Sequence, residues 1–153
     1  MSTWRPKPFI RVIALGLHWR NGRLLAEEVC EDDGRIKGVR PLGGGVEFGE
    51  SWAEAIVREF REELGIDVAL SGTHAVLENI YSHEGTSGHE VAFICPITFP
   101  DDAFTGQDHI IFHEDDGGAC VARWYDLADL DLEGGPKLYP AGLKDFLLKS
   151  EGP

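Results

Sequence analysis

Three glutamates, Glu59, Glu62 and Glu63, stand within the run REFREELG, Arg58 to Gly65. In a helix turning about 100° per residue they share a face, because positions i, i+3 and i+4 lie together. Left bare, that arrangement is unfavourable. Like charges four apart cost roughly 0.2 to 0.5 kcal/mol per pair, and anions in a last turn oppose the helix dipole by roughly 0.3 to 1 kcal/mol each. A divalent cation reverses both effects, since carboxylate oxygens that repel one another become ligands of one ion. The run holds no histidine or cysteine, so the site is hard and oxygen-only, which favours Mg²⁺ or Mn²⁺ over zinc. The plainer alternative for a charge cluster is a solvated helix face.

The elements around the run must hold it in place. Ser51 with Glu54 three positions on fits a capping box, and Gly65 followed by Ile66 fits a left-handed glycine stop, so a helix is predicted from Trp52 to Leu64. Ala53, Ile56, Val57, Phe60 and Leu64 form its apolar stripe and border the glutamates. Upstream, Phe9 to Leu17 and Leu24 to Val29 read as strands joined at Asn21-Gly22. EDDGRIKG reads as a loop and Val39 to Leu42 as a short apolar segment. The triple glycine Gly43 to Gly45 fits neither a helix nor a regular strand interior.

Downstream, His74 to Ser82 and Glu90 to Phe99 are predicted strands joined by a turn bearing GTSG, and Ala119 to Tyr125 another. A long loop ending in HEDDGG lies between the last two. Tyr139 to Lys149, with Leu143, Phe146 and Leu147 at helical spacing, closes the chain as an amphipathic helix.

Counting from Gly44, five residues precede Glu50 and seven more precede Arg58-Glu59; Phe60, Arg61, Glu62-Glu63, Leu64, Gly65 and Ile66 follow. This spacing resembles the full Nudix box, GxxxxxE, seven residues, REUxEExGU with U apolar, with no departure at a fixed position. The preceding RPLGGGVEFGES and the late WYDLADL are also similar to Nudix sequences. The resemblance is specific over Arg40 to Ile66. It implies an α/β fold, a Nudix-type α/β/α sandwich around a mixed β-sheet, forming one domain over residues 1–153.

The resemblance further implies a hydrolase that splits a diphosphate linkage with Mg²⁺ or Mn²⁺ and water. Its substrate would be a nucleoside diphosphate derivative: a nucleotide sugar, an ADP-ribose type compound, a dinucleoside polyphosphate or a nucleoside triphosphate. A nucleotide sensor without turnover is the alternative. Glu59 and Glu63 would be the principal metal ligands, Glu62 a direct or water-mediated one, and the Gly44 carbonyl a further oxygen. Arg58, with Glu50, would orient a box glutamate. Arg40, Gly44 and Gly45 are candidate substrate contacts, with a surface cation the alternative for Arg40. The general base is a box glutamate or an acid elsewhere: Glu114, beside Asp115 and Asp116, is the first choice, with Glu84 and Glu90 next. His83 and His89 read as structural or solvent-facing groups, and Tyr81 as a buried strand tyrosine. Signs of particular substrate classes are mostly absent.

The bulk properties narrow the partners. With 153 residues and 42% hydrophobic content the chain is expected to fold around one core. A net charge of -13 disfavours a nucleic acid duplex or an anionic membrane as partner. Cys30, Cys95 and Cys120 show no metal or disulfide spacing and suit buried, reduced thiols in a cytoplasmic protein. The apolar run VIALGL is short and interrupted by Arg11 on its amino-terminal side, so a buried strand fits it better than a leader peptide. A homodimer is left open.

Overall fold

The run IALGL, Ile13 to Leu17, has no polar alternate because this half of the strand is buried on both sides, whereas Ile10 to Val12 before it are exposed. The computed structural model describes residues 3–114 and 117–150. β1 (Ile10–Leu17) sends Ile13, Leu15 and Leu17 into one apolar cluster and Ala14 into another. After β2 (Trp19–Arg20), β3 (Arg23–Cys30) divides likewise, Leu24 and Ala26 to one side and Leu25 to the other. Asn21 and Gly22, both at positive φ, make the tight turn between them.

β4 (Ile36–Arg40) and β5 (Gly43–Gly45) lead into α1 (Trp52–Leu64). The helix begins and ends where the sequence predicts. Ser51 Oγ accepts from the Glu54 amide at 3.1 Å, Glu54 Oε1 accepts from the Ser51 amide at 2.9 Å, and Gly65 turns left-handed at φ 70°. Ala55, Ile56 and Phe60 are its buried residues. Burying a ring such as Phe60 contributes about 1.5 to 3 kcal/mol, enough to seat a helix whose last turn is electrostatically unfavourable.

β6 (Ala69–Leu70), β7 (Ala75–His83) and β8 (Thr86–Thr98) follow, then β9 (His109–His113), β10 (Ala119–Tyr125), β11 (Lys137–Leu138) and α2 (Leu143–Lys149). One sheet runs β5-β1-β8-β6 with β7 also on β8, and the other runs β11-β4-β3-β10-β9 with β2 on β3. β1 pairs parallel with β8 and β4 parallel with β11, while the other pairs are antiparallel. Leu143 and Leu147 of α2 join the cluster of Ile13 and Leu15; Ile56 and Phe60 of α1 join that of Ala14. The mixed α/β class with two helices is therefore as expected, with the sheet split in two.

Several boundaries differ from the sequence reading. The glycines Gly43 to Gly45 form an edge strand paired to β1, because a chain without side chains can lie flush against Ala14. A Cβ on Gly43, at φ 150°, would stand 2.0 Å from the Ala14 carbonyl oxygen. Ile36 to Gly38 belong to β4 and not to a loop. The turn after β7 is Glu84-Gly85 alone, both at positive φ, so Thr86 to Gly88 are strand. The long loop contains β9, whose short HIIFH pairs with β10. Pro140 and the left-handed Gly142 delay α2 until Leu143. Of the three unpaired cysteines only Cys95 is buried. No helix among the described residues is long and apolar enough to cross a membrane.

His18 follows β1 and lies between Phe99, stacked 3.7 Å away, and Trp124, whose Nε1 donates to His18 Nδ1 at 3.1 Å. Burial, with Arg20 nearby, lowers its pKa from 6.5 to about 4. The folded state thus binds fewer protons than the unfolded one between those values, so His18 costs stability as pH falls from 6.5 to about 4. His18→Gln should flatten this part of the stability profile in urea unfolding; an unchanged slope would mean that His18 titrates normally.

Candidate active site

A cavity of about 540 Å³ opens where the two sheets meet the carboxylate face of α1. Glu59, Glu62 and Glu63 line it from α1, Glu27 from β3, Gly43 to Gly45 from β5, Glu90 from β8, and His113 and Glu114 from the end of β9. The cluster therefore draws on residues scattered through most of the chain.

Arg58 organises the helix side. Its Nε and Nη2 donate to the two oxygens of Glu50 at 2.7 and 2.9 Å, a bidentate pair. Nη1 donates to Glu59 Oε1 at 2.9 Å and to Glu62 Oε2 at 3.3 Å, and Nη2 to the Gly45 carbonyl at 2.9 Å. One guanidinium thus fixes two helix carboxylates against the glycine strand. Glu62, with its side chain 43% exposed against 17% for Glu59, is the outer member.

Gly44 sits directly under Glu59: a Cβ there would stand 2.6 Å from the Glu59 carboxyl carbon. Glycine is what lets the carboxylate approach this backbone. The far walls use the same device. Tyr81 lies over its cross-strand partner Gly88, and Tyr139 over Gly38, where a Cβ would meet the rings at 2.3 and 2.5 Å. Tyr81 is thus a cavity wall and not the buried strand tyrosine that its sequence suggests.

Glu27 was not singled out by its sequence, although LLAEEVC places it two residues after buried Leu25 on the same strand face. It is 5% exposed and paired to Arg40 Nη2 at 2.9 Å, which also reaches the Gly43 carbonyl at 3.4 Å. Arg40 is therefore no surface cation but part of the cluster. Burial raises the Glu27 pKa to about 7 against the opposing pull of Arg40. Burial, then the charges of Glu27 and Glu59, raises that of Glu63 to about 9.

Glu27 Oε2, Glu63 Oε1 and Arg40 Nε are buried with no hydrogen-bond partner. Buried polar atoms are rarely left so. Two orphaned carboxylate oxygens in a site of hard oxygen donors fit a divalent cation.

Of the other candidate bases, Glu114 is exposed and offers an oxygen within 4.8 Å of ligand atoms of Glu27 and Cys120. Glu90 lines the cavity, whereas Glu84 turns away and accepts from the Asp32 amide at 3.2 Å. Asp115 and Asp116 lie outside the described residues. His83 is buried, its Nδ1 2.6 Å from Lys37 Nζ, and His89 bonds Glu78 at 2.9 Å.

The two helices on mixed sheets and the glycine-floored carboxylate cluster define a class to which comparison gives a name. The NUDIX domain profile matches residues 10–146, and this chain belongs to the Nudix family. An uncharacterised Nudix hydrolase of Bacillus subtilis, YvcI, is 30% identical over 112 residues, which cover 72% of this chain. The match spans only 64% of that relative's length. Among solved structures, the MutT NUDIX hydrolase of Burkholderia pseudomallei superposes with TM-score 0.57 at 24% identity, covering 89% of this chain and 95% of that one. The E. coli ORF135 protein gives 0.51 at 24% identity, with coverage of 86% and 82%. These likenesses concern the fold.

Glu63 must take up a proton when the cation-free protein folds at neutral pH, because its folded pKa of about 9 lies above the ordinary 4.5, and removing that titration should stabilise the cation-free fold. Glu63→Gln is expected to raise the unfolding temperature in the absence of divalent ions and to remove most of the further rise that Mg²⁺ or Mn²⁺ gives the wild type. Thermal scans with and without metal read both effects; a variant that keeps the full metal-dependent rise does not use Glu63 as a ligand.

Proposed function

We propose that this protein hydrolyses the diphosphate linkage of a nucleoside diphosphate derivative with the help of Mg²⁺ or Mn²⁺. The observation that carries the reading is the convergence of Glu59, Glu62 and Glu63 on a glycine strand to which Arg58 ties the first two. Glu59, Glu63 and the Gly44 carbonyl would hold the cation, with Glu62 contributing directly or through water. When bound, such an ion neutralises charge on the diphosphate and makes water a stronger nucleophile at neutral pH.

The chain's own groups supply position and proton transfer. Gly44 and Gly45 leave room for the diphosphate beside the backbone, and Arg40 lines the same floor while keeping Glu27 in place. Arg58 keeps Glu59 and Glu62 from turning outward. Glu114, at the cavity rim, is the proposed acceptor of the proton from the attacking water. The substrate breaks between two phosphorus atoms, with the water oxygen ending on one and the bridging oxygen leaving on the other.

A phosphate-release screen across nucleoside triphosphates, ADP-ribose, nucleotide sugars and dinucleoside polyphosphates tests the reading. Glu63→Gln and Glu59→Gln should each lower kcat by at least about a hundredfold, and Glu62→Gln by less. Glu114→Gln should lower kcat by about a hundredfold with little change in KM. Nucleotide binding with no turnover under either metal would make the protein a sensor and not a hydrolase.

A further inference from the structure

A second cavity, of about 240 Å³, lies under the segment WRPKPF at residues 4–9. It shares the wall formed by Trp4, Arg11, Tyr81 and Glu90 with the main cavity, so the two adjoin. Their charges are opposite. Seven glutamates line the main cavity, whereas the small one has Arg5, Lys7, Arg11 and His89 against Glu90 alone. That contrast stands out in a chain of net charge -13.

The segment over the small cavity is held at several points. Arg5 forms a bidentate pair with Asp32, at 3.0 and 2.5 Å. The Trp4 ring packs 5.5 Å from that of His83, Pro6 is buried, and the Phe9 amide donates to the Lys7 carbonyl at 2.9 Å. Two of the four basic groups are engaged, Arg5 by Asp32 and His89 by Glu78. Lys7 and Arg11 make no ion pair among the described residues. Arg11 also borders Gly45, whose added Cβ would lie 3.1 Å from the Arg11 guanidinium, so it stands between the diphosphate floor and the small cavity.

We propose that this cavity is a subsite for an anionic group, a carboxylate or a phosphate, on the part of the substrate beyond the diphosphate. The proposal rests on the hydrolase reading and names the class of substrate: a nucleoside diphosphate whose linked group carries its own negative charge. The main cavity receives its anion through a cation held by carboxylates. The small one offers Lys7 and Arg11, both exposed, directly as charge-assisted donors. Trp4 and Tyr81 form the apolar passage between them.

Two matched pairs of nucleotides test it with the full chain and Mg²⁺ or Mn²⁺: UDP-glucose with UDP-glucuronate, and ADP-ribose with ADP-ribose 5-phosphate. At least one charged member should show the higher kcat/KM, chiefly through KM, and Lys7→Glu and Arg11→Gln should each reduce that preference by about tenfold. Equal kcat/KM within both pairs, or a preference that survives both substitutions, would overturn the subsite while leaving the hydrolase reading intact. If none of the four turns over, calorimetric binding decides: a preference for a charged member that Lys7→Glu removes supports the subsite and counts against the hydrolase. Absence of such a preference sinks the subsite as well.

Discussion

One guanidinium sets the geometry on which the rest of the site depends. Arg58 reaches Glu50 in the loop, Glu59 and Glu62 on α1, and the Gly45 carbonyl on β5. Its planar fork suits this, since several donors can be satisfied in one plane without the flexibility of an ammonium group. Helix, loop and edge strand are thereby locked to each other at the point where the carboxylates crowd. The capping box and the left-handed Gly65 fix the helix length, and burial of Ile56 and Phe60 fixes its depth. Arg58 supplies the remaining constraint, the relation of that helix to the glycine strand.

The electrostatics of the cluster follow from burial more than from the number of charges. Glu62, close to the others in sequence, remains exposed, whereas Glu63 and Glu27 are driven toward their protonated forms because water is excluded from them. Arg40 offsets part of that cost at Glu27 and leaves one oxygen of the same carboxylate without a partner. A helix face that looks merely acidic in sequence is thus one wall of a desolvated pocket closed by a strand from the opposite sheet.

What the sequence disclosed was local, and what it concealed was tertiary. The helix limits were legible because Ser51, Glu54 and Gly65 act on their own neighbours. The box residues were legible because their spacing is contained in a short stretch. Glu27 was hidden because its partner Arg40 comes from the next strand and its neighbour Glu114 from much later in the chain. Gly43 to Gly45 read as an interruption because nothing local shows that β1 presents Ala14 to them. β9 was missed because a five-residue strand becomes stable only on pairing with β10.

Tyr81 over Gly88 and Tyr139 over Gly38 have a consequence for how such a pocket can change. In each wall the ring rests on backbone, so pocket width is governed by a missing methyl group and not by the length of any side chain. A side chain trimmed atom by atom permits graded adjustment, whereas a glycine permits none: the smallest possible addition would displace a whole aromatic ring. The dimensions of the pocket are therefore stepwise quantities, and divergence toward a ligand of different breadth would proceed by jumps.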